Sequence, residues 1–248
     1  MNQGQNQNQQ YYAAPEYVSG NPVIDNVKKA GQSPLFLIAS AIYIALPILQ
    51  LILNGGGLPI QLIGVVGMIL IVVTCNAKAY PGVKTAGFTV LKAYSIVMIV
   101  LGGLLAVSSG ILLAGYDSFM RDETFAESIN ELLAELEPIV GEDIGAEMIF
   151  AVLLIAAAVV ILRYVFVLVM CVRINKTLHT GKNCGKIPVI LAVFYIITTV
   201  FNVIGLFGTI GGANFFGYIV TLLDVVSGIS FALVIFRYNN SLSSLWYS

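Results

Sequence analysis

The sequence predicts an all-α fold: a polytopic membrane protein with six transmembrane helices arranged as three hairpins, plus one extracytoplasmic amphipathic helix. Three observations predict it. The chain is 58% apolar and only 10% charged, whereas charged residues supply about a quarter of an ordinary soluble domain. Its apolar residues gather into six long runs, and a membrane-spanning helix needs about 20 mostly apolar residues. Its charges are segregated, with cations on alternate links and all but three of the acids between Asp117 and Glu147.

Residues 1–30 are rich in Gln and Asn, with Tyr11, Tyr12 and Tyr17 interspersed. That composition buries too little apolar surface to offset the entropy of ordering it, so a disordered cytoplasmic tail is expected. The other reading of the tail is a partner-binding or self-associating segment. The tail is too polar for a cleavable signal peptide, and the first apolar run is expected to insert as an uncleaved anchor. Residues 31–115 then hold the first three runs, Leu35–Leu53, Leu58–Cys75 and Ala93–Gly115. Residues 116–147 form an acidic loop. Residues 148–237 hold the other three runs, Met148–Val172, Ile187–Gly208 and Phe215–Phe236, and 238–248 form a short cytoplasmic C-terminal tail. In hydrocarbon every backbone polar group must be satisfied within its own segment, which makes these runs helices.

The cations set the expected topology, because cytoplasmic flanks carry the excess of Lys and Arg. Lys28 and Lys29 precede the first run; Lys78, Lys84 and Lys92 lie between the second and third. Arg173, Lys176, Lys182 and Lys186 follow the fourth, and Arg237 ends the sixth. The intervening links are uncharged or acidic, with Arg121 their single cation. Both termini are therefore expected in the cytoplasm and the acidic loop outside, in a plasma membrane of the bacterial type. The short links pair the runs as hairpins: first with second, third with fourth, fifth with sixth. The sequons at Asn175 and Asn239 would then be cytoplasmic and unmodified.

Within the acidic loop Phe125, Ile129, Leu132, Leu133 and Leu136 recur at helical spacing, while Glu123, Glu127, Glu131 and Glu135 face away. Asp122 suits the N-cap, and Pro138 and Gly141 suit the stop. The polar face is acidic, the opposite of a helix that binds anionic lipid. It is expected to be a solvated cap over the bundle or an acidic docking face for a basic protein partner. A cation-concentrating vestibule is a further reading. A calcium loop is not expected, since "GEDIGAE" lacks the regular ligand spacing.

Two charges fall inside the apolar runs, Arg163 and Asp224. Intramembrane ionisable residues are costly and usually paired or functional. Counting from the cytoplasmic ends places them about three residues apart in depth, some 5 Å at about 1.5 Å per residue, so a buried ion pair between them is expected. The alternative has Arg163 snorkelling to water and a neutral Asp224 bonding a neighbouring hydroxyl. Gly64, Gly67, Gly102, Gly103, Ser108, Ser109, Ser227 and Ser230 offer small surfaces for close helix approach, and Asn202, Thr198 and Thr199 could line a polar path.

Several chemistries are excluded by what is missing. The single histidine, His179, lies in a link, so no H-E-x-x-H zinc site or intramembrane Ser–His pair exists. Cys75, Cys171 and Cys184 contain no C-x-x-C, and neither a structural metal nor a cofactor is expected. The near-zero net charge argues against nucleic acid. The expectation is a non-enzymatic scaffold or accessory protein in the lipid bilayer. The alternative is a small permease or channel subunit with Asp224 on the path. A polar cavity reaching Asp224 would favour the second, and a dry, filled bundle the first.

Overall fold

The computed structural model describes residues 20–54, 60–77, 82–129, 131, 146–209 and 215–244. Every regular element among them is an α-helix. In chain order these are α1 (Pro22–Gln32), α2 (Pro34–Asn54), α3 (Gln61–Asn76), α4 (Ala86–Ala114), a short α5 (Tyr116–Phe119), α6 (residues 123–129), α7 (Ala146–Thr180), α8 (Val189–Thr209) and α9 (Phe215–Ser244). Three of them, α4, α7 and α9, are long and apolar enough to cross a membrane. A fourth span is added when α1 and α2, bent by 58° at their junction, are taken together. The apolar parts of α3 and α8 among the described residues are shorter, Gln61–Asn76 and Val189–Val203. Among the described residues three or four candidate spans are thus long and apolar enough, against the six expected. Helix α3 begins only at Gln61, just past Pro59, a residue that suits the start of a helix and not its interior.

The outside of the molecule is as apolar as its core. Large apolar side chains point outward along four helices, including Val73, Leu104, Ile155 (64% exposed) and Phe201 (68% exposed). Small polar residues are buried alongside the apolar core, among them Ser40, Ser95, Ser109, Thr199, Ser227 and Ser230. Soluble monomers rarely expose a contiguous apolar surface on this scale, and lipid tails would accept it.

The helices α2, α3, α4, α7, α8 and α9 form a closed ring, each touching the next and α9 returning to α2. The most extensive pairs are α4 with α7 and α8 with α9, whereas α2 packs more broadly on α9 than on α3. The α7–α8 seam is the sparsest in the ring. Close approach of α3 and α4 depends on Gly67 and Gly87. A β-carbon on Gly87 would stand 2.7 Å from the Ile71 backbone nitrogen and 2.9 Å from the Gly67 carbonyl oxygen. Gly102, Ser109, Ser227 and Ser230 are buried as well, but a β-carbon on Gly103 would meet open space, and Ser108 is exposed.

The expected extent of the N-terminal tail needs correction. Residues 22–30 belong to α1, and only residues 1–19 lie outside the described residues. The Asn21 side-chain oxygen accepts from the N–H groups of Val23 (3.0 Å) and Ile24 (3.3 Å). Pro22 occupies the first turn, where its missing N–H costs nothing. Val27 is buried in the main core, with Val23 and Ala30 packed against it. Three amides pin the helix at the end of the bundle where the cations lie. Asn21 Nδ2 donates to the Gly181 carbonyl (2.8 Å), Asn26 Nδ2 to that of Tyr238 (3.3 Å), and Gln32 Nε2 to that of Cys75 (2.9 Å). Replacing Asn21 by alanine removes both cap and tie and is expected to cost about 1–2 kcal/mol, read as a lower unfolding midpoint in detergent. The exposed Lys29→Ala should leave the midpoint in place, and an Asn21→Ala protein as stable as the parent would show that the seat of α1 contributes nothing.

The C-terminal boundary shifts in the same direction. Residues 238–244, expected in a tail, complete α9, with Tyr238, Asn239 and Leu242 buried. Asn239 clamps the start of α8: its side-chain oxygen accepts from Ile187 N–H and its amide donates to the Ile187 carbonyl, both at 2.9 Å. The residue before Pro188 is held extended, which leaves Ile187 with no helical partners of its own, and one amide supplies both. The Asn239 side chain is thereby used up inside the protein.

At the opposite end α6 lies over the tips of α4 and α7. Phe125 and Ile129 pack with Leu112, Leu113, Tyr116, Met120 and Phe150. Asp122 is the N-cap, its carboxylate accepting from Phe125 N–H at 3.1 Å. Glu123, Glu127 and Glu131 are exposed; Glu135, Leu132, Leu133 and Leu136 lie outside the described residues.

Candidate functional site

Two cavities occupy the ring, one on each side of a shared layer. Tyr43 from α2, Tyr94 from α4, Arg163 and Tyr164 from α7, Tyr195 from α8 and Phe231 from α9 border both. Five helices thus contribute to a septum across the bundle. The Tyr94 and Tyr164 hydroxyls are 3.2 Å apart, with their rings edge to face at 5.5 Å. Tyr43 sits edge to face with Phe231, ring centroids 6.4 Å apart. Tyr195 stacks on Phe231 with ring centroids 5.3 Å apart. The Arg163 guanidinium carbon lies 5.3 Å from the Tyr195 ring centroid and 5.9 Å from that of Tyr164. Aromatic faces attract a guanidinium through the ring quadrupole, so the layer holds a cation without neutralising it. Gly64 makes room for the layer. A β-carbon there would stand 2.6 Å from the Tyr43 hydroxyl oxygen and 2.9 Å from Tyr94 Cε1.

The chamber toward the acidic end is half-open, has a volume of about 350 Å³ and a wall of mixed polar and apolar side chains, with Asp224 and Thr198 exposed. Gln61, Thr198, Thr199, Asn202, Asp224 and Ser227 line it, together with the septum. Thr198 and Thr199 donate to the carbonyls of Phe194 and Tyr195 one turn back, both at 2.8 Å. The chamber toward the basic end is smaller, about 110 Å³, and lined mostly by apolar side chains that include Val27, Phe88, Leu191 and Tyr238. The helix α1 thus forms part of its wall.

Arg163 and Asp224 both line the polar chamber, and the arginine charge acts on the carboxylate. The direct ion pair expected from the sequence is not formed between them: no ion contact joins the two, and among the described residues the Asp224 carboxylate has no hydrogen-bond partner. The register explains why. The guanidinium lies level with Tyr195 and Phe231, whereas Asp224 is seven residues from Phe231 on α9, about 10 Å at ~1.5 Å per residue. Counting from the helix ends gave half that separation, because it located the α-carbons and not the direction in which Arg163 extends.

Sequence reasoning suggested an Arg163–Asp224 pair and, separately, a polar path of Asn202, Thr198 and Thr199; all five border one chamber. It missed the tyrosines. The available signal was position: Tyr43, Tyr164 and Tyr195 fall well inside apolar runs, whereas tyrosine in membrane helices gathers at the two interfaces; Tyr94, at the start of its run, carried no such signal. Among the described residues no group of three or more His, Cys, Asp or Glu could hold a metal ion. Cys75 and Cys171 are buried free thiols and Cys184 is half-buried. Comparison of the chain with protein families, curated proteins and solved structures found no match to any of them.

Proposed function

We propose that this chain crosses the bilayer six times, with both termini and the basic links in the cytoplasm, and serves as a small permease or channel subunit. The observation that carries the reading is the polar chamber inside the ring, bordered by Arg163 and Asp224. A scaffold has no need of a roomy polar cavity holding two charges, each costing about 2.5–3.5 kcal/mol to insert at mid-membrane. The six-span topology draws support from the gathering of Lys28, Lys29, Lys84, Lys92, Arg173, Lys176, Lys182, Lys186 and Arg237 toward one end. Helices α2 and α8, at 21 residues each, reach about 31 Å, enough for a hydrocarbon core of about 30 Å. At 16 residues α3 reaches about 24 Å, a mismatch that local thinning of the bilayer accommodates. The exposed face of Glu123, Glu127 and Glu131 supports a second role, the docking of a basic protein partner.

Labelling with a membrane-impermeant maleimide tests the permeation reading. In a background lacking Cys75, Cys171 and Cys184, Asn202→Cys is expected to react from outside intact cells. A lipid-facing control, Phe201→Cys, is expected to stay unlabelled. Cys184 restored alone should react only after the cells are opened. An Asn202→Cys protein as inert as Phe201→Cys would show that water does not reach the chamber and would sink the permease.

A further inference from the structure

We propose that the polar chamber binds a small zwitterion, its anionic end on Arg163 and its ammonium end on Asp224. The inference rests on the permease reading and names the class of solute.

The chamber presents two opposite charges that do not touch each other. Arg163 carries five N–H donors, and the partners it has in the fold are phenol groups, which bring no negative charge. Asp224 has no hydrogen-bond partner among the described residues and borders the same space. Two unneutralised charges facing one cavity in a membrane are each expensive, and moving them together would remove both costs. The fold holds them apart instead. The guanidinium is fixed on the faces of Tyr164 and Tyr195, and the carboxylate stands about two helical turns away along α9. A bound anion alone would leave Asp224 unpaired and repelled, and a bound cation would do the same to Arg163. A ligand carrying both charges satisfies both ends and enters with no net charge. Asn202, Thr198 and Ser227 complete a polar wall. The void of about 350 Å³ suits a small solute, or the headgroup of a zwitterionic lipid entering by the sparse α7–α8 seam.

The test is equilibrium binding to the full chain in nanodiscs of phosphatidylglycerol, so that any zwitterion present is the one added. The probe is ε-aminocaproate, with caproate and hexylamine as controls that each lack one charge. The zwitterion is expected to bind at least tenfold more tightly than either control. Arg163→Gln should bring it down to the affinity of hexylamine, and Asp224→Asn to that of caproate. Adding phosphatidylethanolamine separates the sources: competition assigns the site to a lipid headgroup, and its absence assigns it to a free solute. Equal binding of the zwitterion and one singly charged control, or no binding of any probe, overturns the proposal. Asn202→Cys labelling would still stand in those cases, and the permease reading with it.

Discussion

Replacing Gly87 with alanine is expected to destabilise the protein by about 1–3 kcal/mol, and replacing it with leucine to prevent its accumulation in the membrane. The two nearest backbone atoms, the Ile71 nitrogen and the Gly67 oxygen, belong to the neighbouring helix. A flexible side chain can swing aside from a new methyl group, but a helix backbone moves only as a whole. Seating the methyl group therefore means separating α3 from α4, and with them the walls that carry Tyr94 and Gly64. In hydrocarbon, close packing of this kind is a principal force between helices, since burial from water adds nothing there. Gly103→Ala is the matched control. It lies on the same helix, its new β-carbon would meet nothing within 4 Å, and the higher helix propensity of alanine should leave stability equal or slightly raised. Expression in membranes and unfolding midpoints in detergent read both. Equal behaviour of the two variants would mean that α3 and α4 are not as closely seated as Gly87 implies.

Asn239→Ala is expected to be the most damaging of the polar substitutions, costing roughly 2–4 kcal/mol, because it leaves a buried N–H and a buried C=O without partners at once. Aspartate is no substitute. It retains an acceptor for Ile187 N–H but has nothing to donate to the Ile187 carbonyl, and it places a charge at a buried position. Asn240, the exposed neighbour on the same helix turn, should tolerate alanine. Thermal unfolding of the three purified variants distinguishes these outcomes, and wild-type behaviour of Asn239→Ala would dismiss the clamp.

The order of the helices and the pairing of the two long hairpins were legible because hydrophobic runs and cation spacing are local properties of a sequence. So was the cap at Asp122, whose partner is three residues away. The features that escaped are those whose partners are remote. The helix α1 carried its signals in Asn21 and Pro22, but they were outweighed by a polar composition that looked like part of the tail. Its stability comes from Tyr238, Gly181 and Cys75, none of which its own sequence reveals. Of the septum's four tyrosines, each comes from a different helix, so no spacing in the chain announces them. Arg163 and Asp224 were found because a charge in an apolar run stands out by itself. Their failure to pair was hidden, since it depends on the rotation of α7 and on the aromatic faces that capture the guanidinium.

The seat of α1 also orders events in time. Asn26 meets the Tyr238 carbonyl across 212 residues of sequence, an interval that takes roughly 10–40 s to synthesise at about 5–20 residues per second. Helix α1 must therefore wait for α9 to be made before it can close fully over the basic end. Until then its apolar face, with Val27 at the centre, is covered only in part, by α2 and by Ile71 and Cys75 of α3.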